Sequence, residues 1–367
     1  VEITAAVAHR PHADFTVEKL SLDGPKAGEI LVEIASVGLC HTDLAAREGI
    51  VPIAMPAVLG HEGAGTVVEV GEGVTKVVPG DKVALSYNSC GRCPTCTSGA
   101  PAYCHQFMPL NYAGVRPDGS APITGAGGEP VNSVFFGQSS FASHALANER
   151  NVVKLSDDVP LDLVGPLGCG IQTGAGAVIN TLAAAPGSAL LVMGAGSVGL
   201  AGVLGGVVQG CETIIVLEPH ESRRRLALEL GATHALDPAA GPLPDQVREI
   251  LPIGVDNVFD TTGIPAVIEA SLGAMAPHAG LGLVGVPTDP TAAINLSLMQ
   301  ALIIGIKIYG IIEGDAVPDE FIPRMTRLHA EGRFPFDKMI TKFPMERIND
   351  AIAAQERGEV VKVVLTT

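Results

Sequence analysis

Residues 189–218 constrain the fold more than any other stretch. Ala189-Leu190-Leu191-Val192-Met193 is a short, wholly apolar run, the pattern of a strand buried on both faces. It leads directly into Gly194-Ala195-Gly196-Ser197-Val198-Gly199 and an apolar helical segment to about Gly210. A second run, Thr213-Ile214-Ile215-Val216-Leu217, ends at Glu218. A lone glycine pattern of this kind is weak. Strand, glycine turn, helix, strand and an acid nineteen residues past Gly199 together specify a βαβ dinucleotide site. Gly194, Gly196 and Gly199 let a pyrophosphate reach backbone N–H groups at a helix N-terminus, where the dipole favours anions. A carboxylate at Glu218 would accept bonds from the adenosine ribose and repel a 2′-phosphate, which favours NAD. Arg223, Arg224 and Arg225 follow closely and keep NADP open, although Arg224 and Arg225 read as a solvated helix face.

The βα rhythm continues beyond this unit. The sequence predicts helices over 222–230, 266–274 and 319–329. It predicts strands over 255–260 and 280–286, a last sheet strand at 303–308, and a terminal strand at 360–365. Between Leu163 and Cys211 there is no Asp, Glu, Lys or Arg, but Asn180, Pro186-Gly187 and the glycine cluster break the run. Burial between the layers of an α/β domain explains it better than a membrane span. Before residue 163 the pattern is mainly short strands. Glu29-Ile30-Leu31-Val32-Glu33-Ile34 alternates polar and apolar, Asp43 reads as the acidic cap of a short helix, and Pro79-Gly80 turns into a strand at 81–85. Residues 113–133, rich in Gly and Pro, read as a surface loop of low rigidity.

Cysteine usage brings in a second constraint. Cys90-x2-Cys93-x2-Cys96-x7-Cys104 puts four thiols within fifteen residues. Local pairing among thiols three residues apart would be severely strained, whereas one tetrahedral zinc ion satisfies all four. Disulfides and an iron–sulfur site are the lesser alternatives. No signal-peptide pattern opens the chain, so a reduced, cytoplasmic compartment is expected. The net charge of −16 argues against nucleic acid and anionic membranes as partners.

A third stretch, Gly60-His61-Glu62-Gly63-Ala64-Gly65, sets an imidazole beside a carboxylate among glycines. Cys40, His61 and Cys169 all lie at glycine-flanked turns, and two thiolates with one imidazole would leave a catalytic zinc one open position. Their spacing alone does not show that they converge. Here the chain resembles the zinc-dependent medium-chain alcohol dehydrogenases over essentially its full length. The resemblance rests on Gly60-His61-Glu62-x2-Gly65-x5-Gly71-x2-Val74, Cys40-His41-Thr42-Asp43, the four-cysteine loop, Gly168-Cys169-Gly170 and the dinucleotide fingerprint, in that family's order. Residues 166–176 and Gln138-Ser139-Ser140-Phe141-Ala142 are similar to bacterial aryl-alcohol (benzyl alcohol) dehydrogenases.

The resemblance implies an α/β chain. A GroES-like, mainly-β catalytic domain would comprise residues 1–169 and 311–367, with a structural zinc lobe at about 88–106. A Rossmann NAD-binding domain would comprise residues 170–310. By the same resemblance, Cys40, His61 and Cys169 hold catalytic zinc, and Cys90, Cys93, Cys96 and Cys104 hold structural zinc, two ions per subunit. Asp43 would orient His61, Glu62 would sit behind the metal, and Thr42 would bond the substrate hydroxyl. His41, Thr173, Val198, Arg223, Val286 and Lys362 would touch NAD+, with Val286 and Ile311 loosely matching the substrate wall. The implied reaction is oxidation of a small apolar alcohol, aromatic or allylic, to its aldehyde. The implied assembly is a homotetramer, with a dimer second. Ala45 stands where many members carry a relay histidine, so His41 or water must finish the proton path. A thiol-adduct (S-hydroxymethyl) formaldehyde dehydrogenase is the alternative. A non-catalytic protein would be expected to lack a ligand or Thr42, and all are present.

Overall fold

The computed structural model describes residues 1–367. The chain divides into two units: Val1–Cys169 with Val317–Leu328 and Asp337–Thr367, and Gly170–Ala316 with His329–Phe336. The first crossing falls at residues 169/170. The second falls at 316/317 rather than 310/311, because the turn at Glu313–Asp315 is tied to the second unit. Asn180 Nδ2 donates to Gly314 O at 3.0 Å and Thr181 Oγ1 to Asp315 at 2.7 Å.

The first unit is mainly β. The ten-residue strand Glu29–Gly38 pairs with Gly63–Val70, with His144–Asn148 and with the C-terminal strand Lys362–Thr366. Five short strands, including Glu2–Ala8 and Thr16–Leu22, form a second sheet. The apolar alternation seen in the sequence fills the core of this unit: Ile30, Val32, Ile34, Val37, Val67 and Val83 are all buried. Residues 113–133 depart from the loop expectation. They carry the strands Ile123–Thr124 and Pro130–Val131 and bury Arg116, whose guanidinium is held by Glu29 and Asp23. Gly and Pro here punctuate an edge rather than loosen it.

The second unit is a six-stranded, wholly parallel sheet in the order 234–236, 213–217, 189–193, 255–260, 275–283 and 307–310. Helix Ser197–Gln209 follows the glycine turn, and Gly202 and Gly206 on its buried side let it lie close to the sheet, where added Cβ atoms would meet Phe259 and Leu190. The expected strand at 303–308 is instead the end of helix Leu298–Ile304, then a left-handed cap at Gly305, then strand Lys307–Gly310. The apolar run Ile303-Ile304-Gly305-Ile306 carries no period that separates these states. No helix is long and apolar enough to cross a membrane.

Candidate metal centres and dinucleotide site

The buried centre is built from three distant turns. Helix His41–Arg47 starts at Cys40, which is its N-cap; Asp43 is the third helical residue and reaches back to the Cys40 N–H at 2.9 Å. Asp43 therefore does not open the helix as expected from sequence. It closes a capping box, and its other oxygen accepts from Gly60 N at 3.1 Å and bonds His61 Nδ1 at 2.8 Å. Gly60 sits at φ +87°, and a Cβ there would lie 2.5 Å from the Phe141 backbone nitrogen, so only glycine fits this turn.

Asp43 fixes the His61 tautomer. With Nδ1 given to the carboxylate, the neutral ring has its electron pair at Nε2, which is buried with no hydrogen-bond partner. A buried polar atom without a partner is costly unless something else fills the need. One ligand atom each from Cys40, His61, Glu62 and Cys169 lies within 4.8 Å of the others. Two thiols, one imidazole lone pair and a nearby carboxylate suit zinc better than a harder cation. The residues therefore fit the ion that the resemblance implies.

A hydrogen bond from Cys169 holds the Cys40 thiol well below its ordinary range, against burial and with help from His61 and Lys362. Burial pulls His61 down, but Asp43 and Cys40 outweigh it and hold a proton on the imidazole well above its usual range, a proton that an ion bound at Nε2 would displace. Burial pushes Glu62 up to about 7, although Lys362 opposes it. Lys362 is fully buried. Its ammonium lies 2.5 Å from Glu62 and donates to Leu39 O at 3.0 Å. Burial pulls Lys362 down, yet Glu62 and the thiolates hold it above its ordinary value. The ammonium that the resemblance assigns to the cofactor is thus engaged behind the metal ligands. Thr42 Oγ1 lies 3.7 Å from Cys40 Sγ, and His41 is exposed at the start of the same helix.

The second cluster is local. Cys90, Cys93, Cys96 and Cys104 also bring their sulfurs within 4.8 Å of one another. Backbone N–H groups converge on them: Cys90 N and Gln106 N donate to Cys104 Sγ, Cys93 N to Cys90 Sγ, and His105 N to Cys93 Sγ. Thr95 and the backbone lower Cys93 to about 5, while burial and the adjoining Cys93 thiol raise Cys96 to about 12. Thiols this close cannot all ionise without a cation among them, and a four-thiolate zinc site resolves the conflict. The donor set fits that ion too.

In the second unit, a Cβ on Gly196 would project into open space at the N-terminus of helix Ser197–Gln209, which leaves a cradle for a phosphate. Glu218, just past its strand, turns one oxygen to this turn, where Oε2 accepts from Ala195 N at 2.8 Å, while Oε1 accepts from His220 N at 2.9 Å in its own loop. Arg224 is consumed by Glu218 O, Pro219 O and Asp237, and Arg225 pairs with Glu221 on the exposed face. Arg223 differs, since its Nε is buried without a partner. Thr173 is buried on helix Gly170–Gly176; Val286 is 69% exposed, and Ile311 is buried against Gly282. Gln138, which in the sequence stood out only within the stretch Gln138-Ser139-Ser140-Phe141-Ala142 that carries the aryl-alcohol resemblance, grips the His61 turn with its side chain.

These features define a zinc-binding dehydrogenase. Residues 26–157 match the alcohol dehydrogenase GroES-like domain and residues 197–331 the zinc-binding dehydrogenase domain, so the chain belongs to the zinc-dependent medium-chain alcohol dehydrogenases. Over 367 residues it is 48% identical to geraniol dehydrogenase of Castellaniella defragrans, covering all of this chain and 98% of that one. It superposes on the crystal structure of benzyl alcohol dehydrogenase from Acinetobacter calcoaceticus with a TM-score of 0.96 at 39% identity, covering 100% of this chain and 99% of the other. An alcohol dehydrogenase zinc-binding domain protein from Burkholderia ambifaria gives 0.98 at 45% identity, with the same coverage. The chain is an alcohol dehydrogenase with a GroES-like and a Rossmann-type domain.

Proposed function

We propose that the enzyme oxidises primary allylic or aromatic alcohols to aldehydes with NAD+, using zinc held by Cys40, His61 and Cys169. The observation that carries this reading is the buried His61 Nε2, left without a partner by the Asp43 bond and facing two thiols. When bound, the zinc supplies Lewis acidity toward the alcohol and NAD+ accepts the hydride. The chain's own residues do the rest. Asp43 holds the imidazole, the Lys362–Glu62 pair sets the charge behind it, and Thr42 Oγ1 takes the hydroxyl proton outward. His41, exposed one residue before Thr42, finishes the relay where Ala45 offers no titratable group.

The choice of NAD+ rests on Glu218, a carboxylate at the glycine turn. The substrate class rests on the names of the relatives, a geraniol and a benzyl alcohol dehydrogenase. The four-cysteine lobe holds a second, structural zinc. The clustered thiols suit a reducing, cytoplasmic setting. Self-association fits the apolar helix Leu298–Ile304, where Leu298, Leu302 and Ile303 are all at least 75% exposed beside the edge strand Lys307–Gly310. A second copy of the same face is its partner, and light scattering should find the Leu302→Lys variant dissociated.

The test is a panel. Reduction of NAD+ and NADP+ is followed with geraniol, cinnamyl, benzyl and ethyl alcohols and an S-hydroxymethyl thiol. The account expects the first three to lead, with NAD+. Turnover confined to the thiol adduct would replace it with the formaldehyde reading.

A further inference from the structure

The segment Phe135–Ser140 is twisted in a way that its residue types do not favour. Phe136 is at φ +52° and Ser139 at φ +51°, and Gly137 between them is also left-handed. A bulky residue in that region is a rare conformer, and such outliers persist only where surrounding contacts over-determine them. The contacts are present. Asn151 Nδ2, itself buried, donates to Phe136 O at 3.3 Å and Gly137 O at 3.2 Å, and Ser139 Oγ donates to Val58 O at 2.7 Å while accepting from Phe135 N at 2.9 Å.

The twist delivers two side chains to one target. The Phe136 ring lies face to face on the His61 imidazole, with centroids 4.3 Å apart and planes 24° off parallel, while Phe135 meets the same ring edge-on at 5.5 Å. Gln138 spends three of its four amide hydrogen bonds on the backbone of His61, Gly63 and Ser86. Nε2 donates to His61 O at 2.9 Å and Ser86 O at 3.1 Å, and Oε1 accepts from Gly63 N at 3.1 Å and Ser140 Oγ at 2.5 Å. Asp43 fixes the imidazole at Nδ1 within its plane, and nothing in that bond stops the ring from tipping about it. The Phe136 face does.

We infer that Phe136 and Gln138 are positioning residues for His61: the left-handed turn stacks Phe136 on the imidazole and clamps Gln138 to its backbone, so that Nε2 is aimed at the ligand thiols before any ion arrives. This rests on the reading of His61 as a zinc ligand. A pre-aimed ligand binds with less ordering cost, and outer contacts of this kind alter metal affinity about 10–100-fold.

The experiment follows zinc loss to a chelator from the intact holoenzyme, with the four-cysteine site as internal reference, and records the visible spectrum after cobalt substitution. Phe136→Leu keeps an apolar side chain but removes the stacked face. Phe136→Gly accepts the left-handed backbone freely and removes the ring altogether. Phe15→Leu, a buried phenylalanine of the same unit that touches Phe141 and not His61, reports a purely structural loss. The expected result is release at least about tenfold faster from the Cys40–His61–Cys169 site in both Phe136 variants, with shifted cobalt bands, unchanged release from the cysteine lobe and no effect of Phe15→Leu. Wild-type release and spectrum in Phe136→Leu and Phe136→Gly would overturn the inference, as would the same acceleration in Phe15→Leu. Failure of the underlying reading looks different, because His61→Ala would then retain both ions.

Discussion

The two candidate metal centres hold similar ligands by opposite means. The cysteine lobe takes all its ligands from residues 90–104, keeps most of them partly exposed and supports its sulfurs with backbone N–H groups. The other centre draws Cys40, His61 and Cys169 from three distant turns, and its His61 and Glu62 are fully buried. It is supported by side chains: Asp43 on the imidazole, Gln138 on the turn and Lys362 on Glu62. Four thiolates would close all four positions of a tetrahedral ion, whereas two thiolates and one imidazole would leave one for chemistry. The side-chain support of the buried centre also buries charges that depend on one another.

Each prediction presses on that contrast, and the largest concerns the lobe. Cys93→Ser removes a ligand from a segment that has little core of its own, and should cost about 4 kcal/mol or more, read as a lowered melting temperature and loss of one zinc. A glycine pair compares the rigidity of the two centres. Gly60→Ala meets the Phe141 backbone nitrogen at 2.5 Å and should cost about 2–5 kcal/mol. Gly91→Ala in the lobe, at φ +68°, meets only the Arg150 guanidinium, which can swing away, so about 1–2 kcal/mol is expected from denaturant midpoints. Equal losses would mean the buried turn is no stiffer than the exposed one.

Asp43→Asn keeps every ligand but withdraws the carboxylate from His61 Nδ1. Zinc affinity at the buried site should fall about 10–100-fold with the lobe unaffected, as measured by competition with a chelator. The smallest effect is a slope. Glu62 stands near 7 in the folded protein against an ordinary 4.5, so the folded state binds its proton more tightly than the unfolded one. Its contribution therefore falls as pH rises from about 4.5 to 7 and is flat beyond. In the metal-stripped protein, Glu62→Gln should gain on the wild type across that window. A parallel pair of pH–stability curves would remove Glu62 from the account.

How far each region could be read from sequence follows from the same contrast. The lobe was legible because one loop carries its whole ligand set at fixed spacing. Most of the parallel sheet was legible because strand and helix alternate, from Ala189–Met193 to Val255–Asp260, while the three-residue strand His234–Leu236 was too short to show a pattern. The buried centre was not, since no spacing links Cys40 to Cys169, and only the resemblance joined them. The Glu62–Lys362 pair spans 300 residues of sequence and stayed hidden for the same reason. Helix Leu298–Ile304 was missed because a short apolar run with one glycine has no helical period to find. Phe136 left no trace at all, because nothing in a phenylalanine announces a positive φ.

The central claim is that chemistry belongs to the buried centre and stability to the lobe. Zinc per chain and turnover of a responsive alcohol, measured together on the wild type and His61→Ala, test it most directly. The account predicts two zinc ions in the wild type. In a folded His61→Ala it predicts one ion, with turnover lower by about 1,000-fold or more, the scale of a lost Lewis acid. A folded His61→Ala that loses an ion and keeps wild-type turnover, or keeps both ions, would contradict it.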